Sequence, residues 1–336
     1  MELGLTTFAE LYPVGDRPAP TAAERLREVV DEAVATERAG LDVYGVGEHH
    51  RKDFAASAPA VVLAAIAART ERIQLTSAVS VLSSDDPVRV YQDFATLDGL
   101  SNGRAELMAG RGSFTESFPL FGYDLSDYDE LFEEKLALLL HIRADAPVTW
   151  RGKFRAPLSD AVIYPRTDNR PLPVWIAVGG SPESVVRAGL LGLPLAIAII
   201  GGQPARFKPL VDLYHRALDE GGHERQAVAV HAHGYIADSD EQAVADFYEP
   251  YAGAMSTLGR ERGWGPMTRT QFDALRSQNG SLFVGTPDYV AEKITDIRDT
   301  LGLDRFMLHT SVGTLPHEKV LHNIELLGAK VAPQVR

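Results

Sequence analysis

The sequence predicts an α/β chain folded as a (β/α)8 TIM barrel, with one insertion after the fourth helix and another before the seventh. Three observations predict it. Short apolar, β-branched runs recur eight times, and amphipathic helical patterns follow most of them. The 336 residues are about what eight such units need. The stretch after the first strand, Ala9-Glu10-Leu11-Tyr12-Pro13, lacks the Gly-x-Gly-x-x-Gly turn that an open dinucleotide-binding sheet wants there. A single barrel domain over residues 1–336 is the expectation.

In chain order, the strand-like runs are 3–8, 43–46, 73–81, 105–109, 174–178, 195–200, 228–236 and 306–310. Helical periodicity covers 22–39, 58–70, 87–97, 128–142, 183–189, 205–219, 287–301 and 317–330. Gly40, Gly192, Gly221 and Gly302 fall just past helical segments, where a left-handed cap is wanted. Thr21 and Thr286 precede segments as N-caps, the second followed by Pro287 in the first turn. The first insertion, residues 146–169, contains Val148-Thr149-Trp150 and Ala161-Val162-Ile163-Tyr164 and reads as a small hairpin. The second, residues 248–283, is rich in Gly and polar residues, carries Trp264, and reads as an irregular loop. Such loops in a compact domain are usually functional or plain surface excursions, and cover for a substrate is favoured here.

Composition narrows the function. With 45% hydrophobic and 24% charged residues the chain can bury a large core. A net charge of −13, from 46 acidic against 33 basic side chains, argues against a nucleic-acid surface. The absence of cysteine excludes disulfides, thiolate metal sites, iron–sulfur clusters and a Cys nucleophile. The opening residues lack the basic region and apolar stretch of a signal peptide. The apolar runs 193–200 and 61–68 fall short of the ~20 residues a membrane span needs. A cytoplasmic location with no membrane contact is expected.

In such barrels the reacting groups lie on loops after the carboxyl ends of strands. Strand two runs into Gly47-Glu48-His49-His50-Arg51. Neighbouring His cannot face the same way on a strand, so they do not share a metal. One should point over the barrel mouth as hydrogen-bond donor or general base, the competing role being a helix cap. Strand four ends Gly110-Arg111-Gly112, where glycines allow close backbone approach and the guanidinium offers a fork to phosphate. Glu106 alternates with apolar neighbours, and a satisfied interior ion pair suits it better than catalysis. Strand five gives Gly179-Gly180-Ser181-Pro182-Glu183-Ser184, a turn and helix start suited to cradling phosphate. Strand seven carries His231 and His233 on one face. No third metal ligand is evident at suggestive spacing, so a core or pocket-lining role is favoured. The spacing of His317, Glu318 and His322 is not the His-Glu-x-x-His zinc signature, and no metal is expected. Thr310–Pro316 after strand eight is a rival phosphate site, and residue chemistry alone does not choose between the two.

Taken in order, these motifs resemble the bacterial luciferase-like monooxygenases. The resemblance is carried by Glu48-His49-His50, by Ser77-Ala78-Val79-Ser80-Val81-Leu82 with Pro87-Val88-Arg89, and by Leu100-Ser101-Asn102-Gly103-Arg104 leading to Gly110-Arg111-Gly112. Phe121-Gly122, Gly179–Ser184 and Leu315-Pro316-His317-Glu318-Lys319 complete it. The set spans nearly the whole chain. It implies a barrel that binds FMN, supplied reduced at the expense of NAD(P)H by the enzyme itself or by a partner flavin reductase, and that uses O2 on a small organic substrate. It further implies phosphate binding at Arg111 and at Gly179, Gly180, Ser181 and Ser184, which decides against strand eight. It implies a non-proline cis peptide at Ala78-Val79 beneath the flavin ring, a catalytic role for His49, and a homodimer. Phe8, His233 and Trp264 are expected to shape the substrate pocket. Gly110 departs from the luciferases, which place a reactive thiol there. Two alternatives stay open: a deazaflavin-dependent hydride-transfer enzyme and a non-enzymatic flavin-binding protein.

Overall fold

A computed structural model describes residues 1–14, 16, 18–112, 114–144, 147–168 and 170–336. Eight parallel strands close on one another: β1 (Glu2–Thr7), β2 (Val43–Val46), β3 (Gln74–Ser77), β4 (Ala105–Gly110), β5 (Val174–Val178), β6 (Leu195–Ile199), β7 (Val228–Ile236) and β8 (Arg305–His309). Closure is made by β8, which pairs with β7 on one side and with β1 on the other, Leu5 opposite Leu308. The helices are α1 (Ala22–Arg38), α2 (Pro59–Ala67), α3 (Pro87–Leu100), α4 (Tyr128–Arg143), α5 (Pro182–Leu190), α6 (Lys208–Glu220), α7 (Pro287–Leu301) and α8 (His317–Leu326).

Local signals act as read. Thr21 and Glu24 form a reciprocal capping box on α1, and Thr286 accepts from the Tyr289 amide at the start of α7. Gly40, Gly192 and Gly302 adopt the left-handed conformation. After α6 the neighbouring Gly222 takes that role instead of Gly221, because the last turn extends one residue further.

Three expectations are corrected. Strand three is not continuous over 73–81: β3 stops at Ser77 and a short strand, Ser80–Val81, resumes against β4 after a cis peptide at Ala78-Val79. The segment 248–283 is mostly helical. It holds the C-terminal part of helix Asp240–Arg262 and all of helix Arg269–Arg276, ahead of a short strand, Phe283–Gly285, on β7. Its glycines and Pro250 obscured a regular buried stripe, Ala243, Val244, Phe247, Tyr251 and Ala254, that recurs at helical spacing. Finally, α8 ends at Leu326, and a π-turn, Leu327–Val331, leads to a last helical turn, Ala332–Val335. The hairpin after α4 pairs Val148–Trp150 with Leu158–Ala161; the ends of that predicted insertion, residues 146 and 169, lie outside the described residues.

The core has two layers. Apolar faces of the helices pack on the outside of the barrel, while Val43, Met108, Trp175, Ala196, Ala229 and Met307 plug its middle. Below the plug, Arg305 sits beside Glu106; above it the barrel opens into a cavity. No helix among the described residues is long and apolar enough to cross a membrane.

Candidate active site

A cavity of about 330 Å3 occupies the carboxyl end of the barrel. Its floor is apolar, formed by Val79, Met108, Ala177, Ala196 and Met307. The Ala78-Val79 cis peptide stands at its edge, as the resemblance implied. A Cβ built on Gly110 would lie 2.7 Å from Val79 Cγ2, so a side chain at 110 would collide with the floor. That contact explains a glycine directly before Arg111.

The loop after β2 separates its two histidines. His50 Nε2 lies 2.7 Å from Glu48 Oε1, and Glu48 Oε2 accepts from the Val81 amide at 2.9 Å. The hydrogen bond to Glu48 raises the His50 pKa, which burial opposes. His49 instead borders the cavity, packed edge-on against Phe8 and Phe114 at 4.7 and 4.8 Å. Its Nδ1 is 3.7 Å from Glu116 Oε1. Burial alone would raise the Glu116 pKa, but the interaction with His49 wins and holds it low. The N-cap of α2 is Ala58, which makes no side-chain cap hydrogen bond, while His50 is bonded to Glu48 and His49 faces the cavity.

Arg111 and the start of α5 converge on the opposite wall. Arg111 Nη2 donates to Ser184 Oγ at 3.0 Å, and Nη1 donates to the carboxylate of Asp129. The guanidinium lies 5.1 Å from the ring of Tyr128, whose hydroxyl donates to the Gly112 carbonyl. Ser181 caps α5, accepting from the Ser184 amide, while its hydroxyl donates to Glu183. Gly179 and Ser181 line the cavity. Gly180 has φ +122°, a conformation that favours glycine, and no side chain at 179 or 180 obstructs the approach. A cation, hydroxyls and the amides of a helix start therefore face one space.

The rival turn after β8 is filled from within. Ser311 donates to Glu10 Oε2 at 2.6 Å, and the Tyr12 amide donates to Thr314 Oγ1. Glu10 already places a buried anion at that turn, which is hostile to phosphate.

Sequence reasoning missed the group around Glu10. His309 Nε2 lies 2.5 Å from Glu10 Oε1, and Thr6 Oγ1 is 3.2 Å from His309 Nδ1. The alternation of Met307 and His309 on β8 was the available signal; nothing near Glu10 in the chain pointed to it. His231 lines the cavity, and His233 is buried behind it, 5.4 Å from the His309 ring. Phe8 lies 4.5 Å from His309 and also lines the cavity. Trp264 is half exposed and does not line it. It stacks beneath Arg262, which lies over Phe114, whose ring in turn packs against His49. Among the described residues, Glu28, Glu32 and His317 could together hold a metal ion, but Arg25 already sits 2.6 Å from Glu32 and 3.3 Å from Glu28.

With this geometry in place, comparison with known proteins is informative. A family model described as luciferase-like monooxygenase matches residues 1–305. An N-acetyl-S-alkylcysteine monooxygenase of Bacillus subtilis (strain 168) is 28% identical over 312 residues, covering 87% of this chain and 89% of that one. An F420-dependent glucose-6-phosphate dehydrogenase of Amycolatopsis mediterranei is 34% identical over 175 residues, 49% of this chain and 51% of its own. In fold, the chain resembles the oxygenating constituent of 3,6-diketocamphane monooxygenase from Pseudomonas putida, solved in complex with FMN. The TM-score is 0.80 at 20% identity, with 100% of this chain and 99% of that one covered.

Proposed function

The chain belongs to the luciferase-like monooxygenase family, and from that premise we propose that it is an FMN-dependent monooxygenase acting on a small organic substrate. The observation that carries this reading is that Arg111, braced by the buried Ser184, lines one wall of a cavity with Gly179 and Ser181 of the turn opening α5, over a floor that is apolar. The donor set fits a doubly charged tail group and the apolar floor fits an aromatic ring system. When bound in its reduced form, FMN would supply the electrons that activate O2.

The chain's own residues then have definite tasks. Arg111, now bonded to Asp129 and Ser184, would hold the phosphate, together with Ser181, Gly179, Gly180 and Ser184 at the opening turn of α5. Ala78 and Val79, which line the cavity, would hold the ring. The packed rings of Phe8, Phe54 and Phe114 around His49 exclude water from the reacting edge. His49, with Glu116 beside Nδ1, accepts or returns a proton at the cavity.

Titration of the purified protein with FMN, riboflavin and a deazaflavin tests the reading, with oxygen uptake measured in parallel. FMN should bind and its reduced form should drive oxygen uptake. Arg111→Ala should weaken FMN by about 1.5–3 kcal/mol, the range for a charged hydrogen bond, and leave riboflavin nearly unchanged. Equal losses for both would overturn the phosphate assignment. A second reading, hydride transfer with a deazaflavin, is favoured by the similarity to the F420-dependent dehydrogenase. It predicts anaerobic turnover and no oxygen uptake.

A further inference from the structure

The two ends of the cavity differ in character. One carries Arg111. The other, between β1, β7 and β8, is built of imidazoles gathered around a fixed anion. The His231 ring lies 5.2 Å from His309 and 6.1 Å from His233. Behind them Glu10 is held by His309 and Ser311. His231 Nε2 and His233 Nδ1 are buried and find no hydrogen-bond partner among the described residues. A neutral imidazole offers one N–H and one bare nitrogen, and buried polar atoms are almost always satisfied by something. Enclosure keeps both rings neutral, since it pushes the His231 pKa down to about 3 and that of His233 well below its usual value, with the nearby His309 lowering both further. A second negative charge arriving here would meet ionised Glu10. Among the described residues that line the cavity, Arg111 is the sole Lys or Arg, and it stands at the other end.

We propose that the imidazole end is the substrate subsite and that it selects an uncharged, oxygen-bearing head group, a ketone, aldehyde or alcohol, which hydrogen-bonds to His231. His233 and the Glu10–His309 pair act as positioning residues that fix the ring. Carboxylates and sulfonates are rejected, because the lining's Arg111 stands at the other end and His309 is already engaged by the anionic Glu10. This rests on the flavin reading only in assigning the Arg111 end to the cofactor.

The test uses the cofactor-free protein labelled with 15N-histidine and two matched probe pairs: cyclohexanone with cyclohexanecarboxylate, and 2-decanone with decane-1-sulfonate. Ring-nitrogen resonances are assigned with His231→Phe and His233→Phe. The expected result is that both rings are neutral at pH 7, that at least one neutral probe shifts them, and that its anionic partner needs at least tenfold more. His231→Phe should bind that neutral probe about 5- to 10-fold more weakly, the effect of one lost hydrogen bond. His231→Gln, which keeps a donor and an acceptor, should retain most of the affinity. An imidazolium at either position, anionic probes binding as well as neutral ones, no neutral probe shifting either ring, or unchanged binding in His231→Phe would each overturn the proposal. A separate FMN titration keeps the two readings apart: failure to bind FMN overturns the flavin assignment and leaves the histidine readout intact.

Discussion

At Glu10 two opposed effects act on one carboxyl. Burial raises its pKa, while His309, Ser311 and Arg25 lower it, and the favourable contacts win: the value falls from 4.5 to about 2. Because the folded value lies below the unfolded one, the stabilisation is complete above about pH 4.5 and is lost as pH falls towards 2. Urea midpoints measured across this window should drop with acid, and Glu10→Gln should flatten that slope; an equally steep slope in the variant would show that other carboxylates dominate. His49 poses a different question. Its ring is fixed by Phe8, Phe54 and Phe114, so His49→Ala should reduce turnover by roughly 10²–10⁴-fold, the usual weight of a positioned acid–base group. FMN affinity should hardly move, and a parallel loss of binding would demote His49 to a packing role. His49 and Arg111 were legible in the sequence because each ends a strand beside local markers, a Glu-His-His run and flanking glycines. Glu10 and His309 were not, because 299 positions separate them and only closure of the barrel brings them together.

The elements show the same division. Barrel strands announced themselves as β-branched runs bounded by turn residues, since strands covered by helices outside and a plug inside must be apolar on both faces. What the runs could not show was the interruption of strand three, where Ser80–Val81 forms a separate short strand and Glu48 receives the Val81 amide. Nor did apolar pattern expose helix Asp240–Arg262, in which Pro250 and two glycines dilute the periodic stripe. Gly110 ties two elements together, for its hydrogen stands where a methyl would meet Val79 at 2.7 Å. In Gly110→Ala either β4 or the Val79 side chain must give way, and overpacking of this kind costs about 1–3 kcal/mol. The variant should lose FMN affinity along with stability, read by flavin titration and thermal melting. Loss of stability alone would mean that the floor does not touch the ring.

The molecule as a whole is a barrel filled in tiers, and the tiers separate stability from function. The lowest is ionic: Arg305, nearly fully buried, pairs through both Nη1 and Nη2 with Glu106, at 2.6 and 3.2 Å, donates to Glu2, and lies 4.5 Å from the Trp175 ring. Here the sequence was informative, since a carboxylate alternating with apolar residues on strand four had to find a cation inside. Above it Met108, Met307 and Trp175 form the plug, and only beyond these does the cavity open. Removing one partner of such a pair strands the other without its counter-charge, an effect worth about 3–5 kcal/mol where the remaining charge cannot reach water. Glu2 is half exposed and still holds one edge of the guanidinium, so Glu106→Ala should fall towards the low end of that range. Because the plug isolates this tier from the cavity, FMN affinity measured well below the melting temperature should remain within about twofold, a change under roughly 0.5 kcal/mol. A variant that melted normally, or that lost flavin as readily as stability, would show that the tiers are not independent.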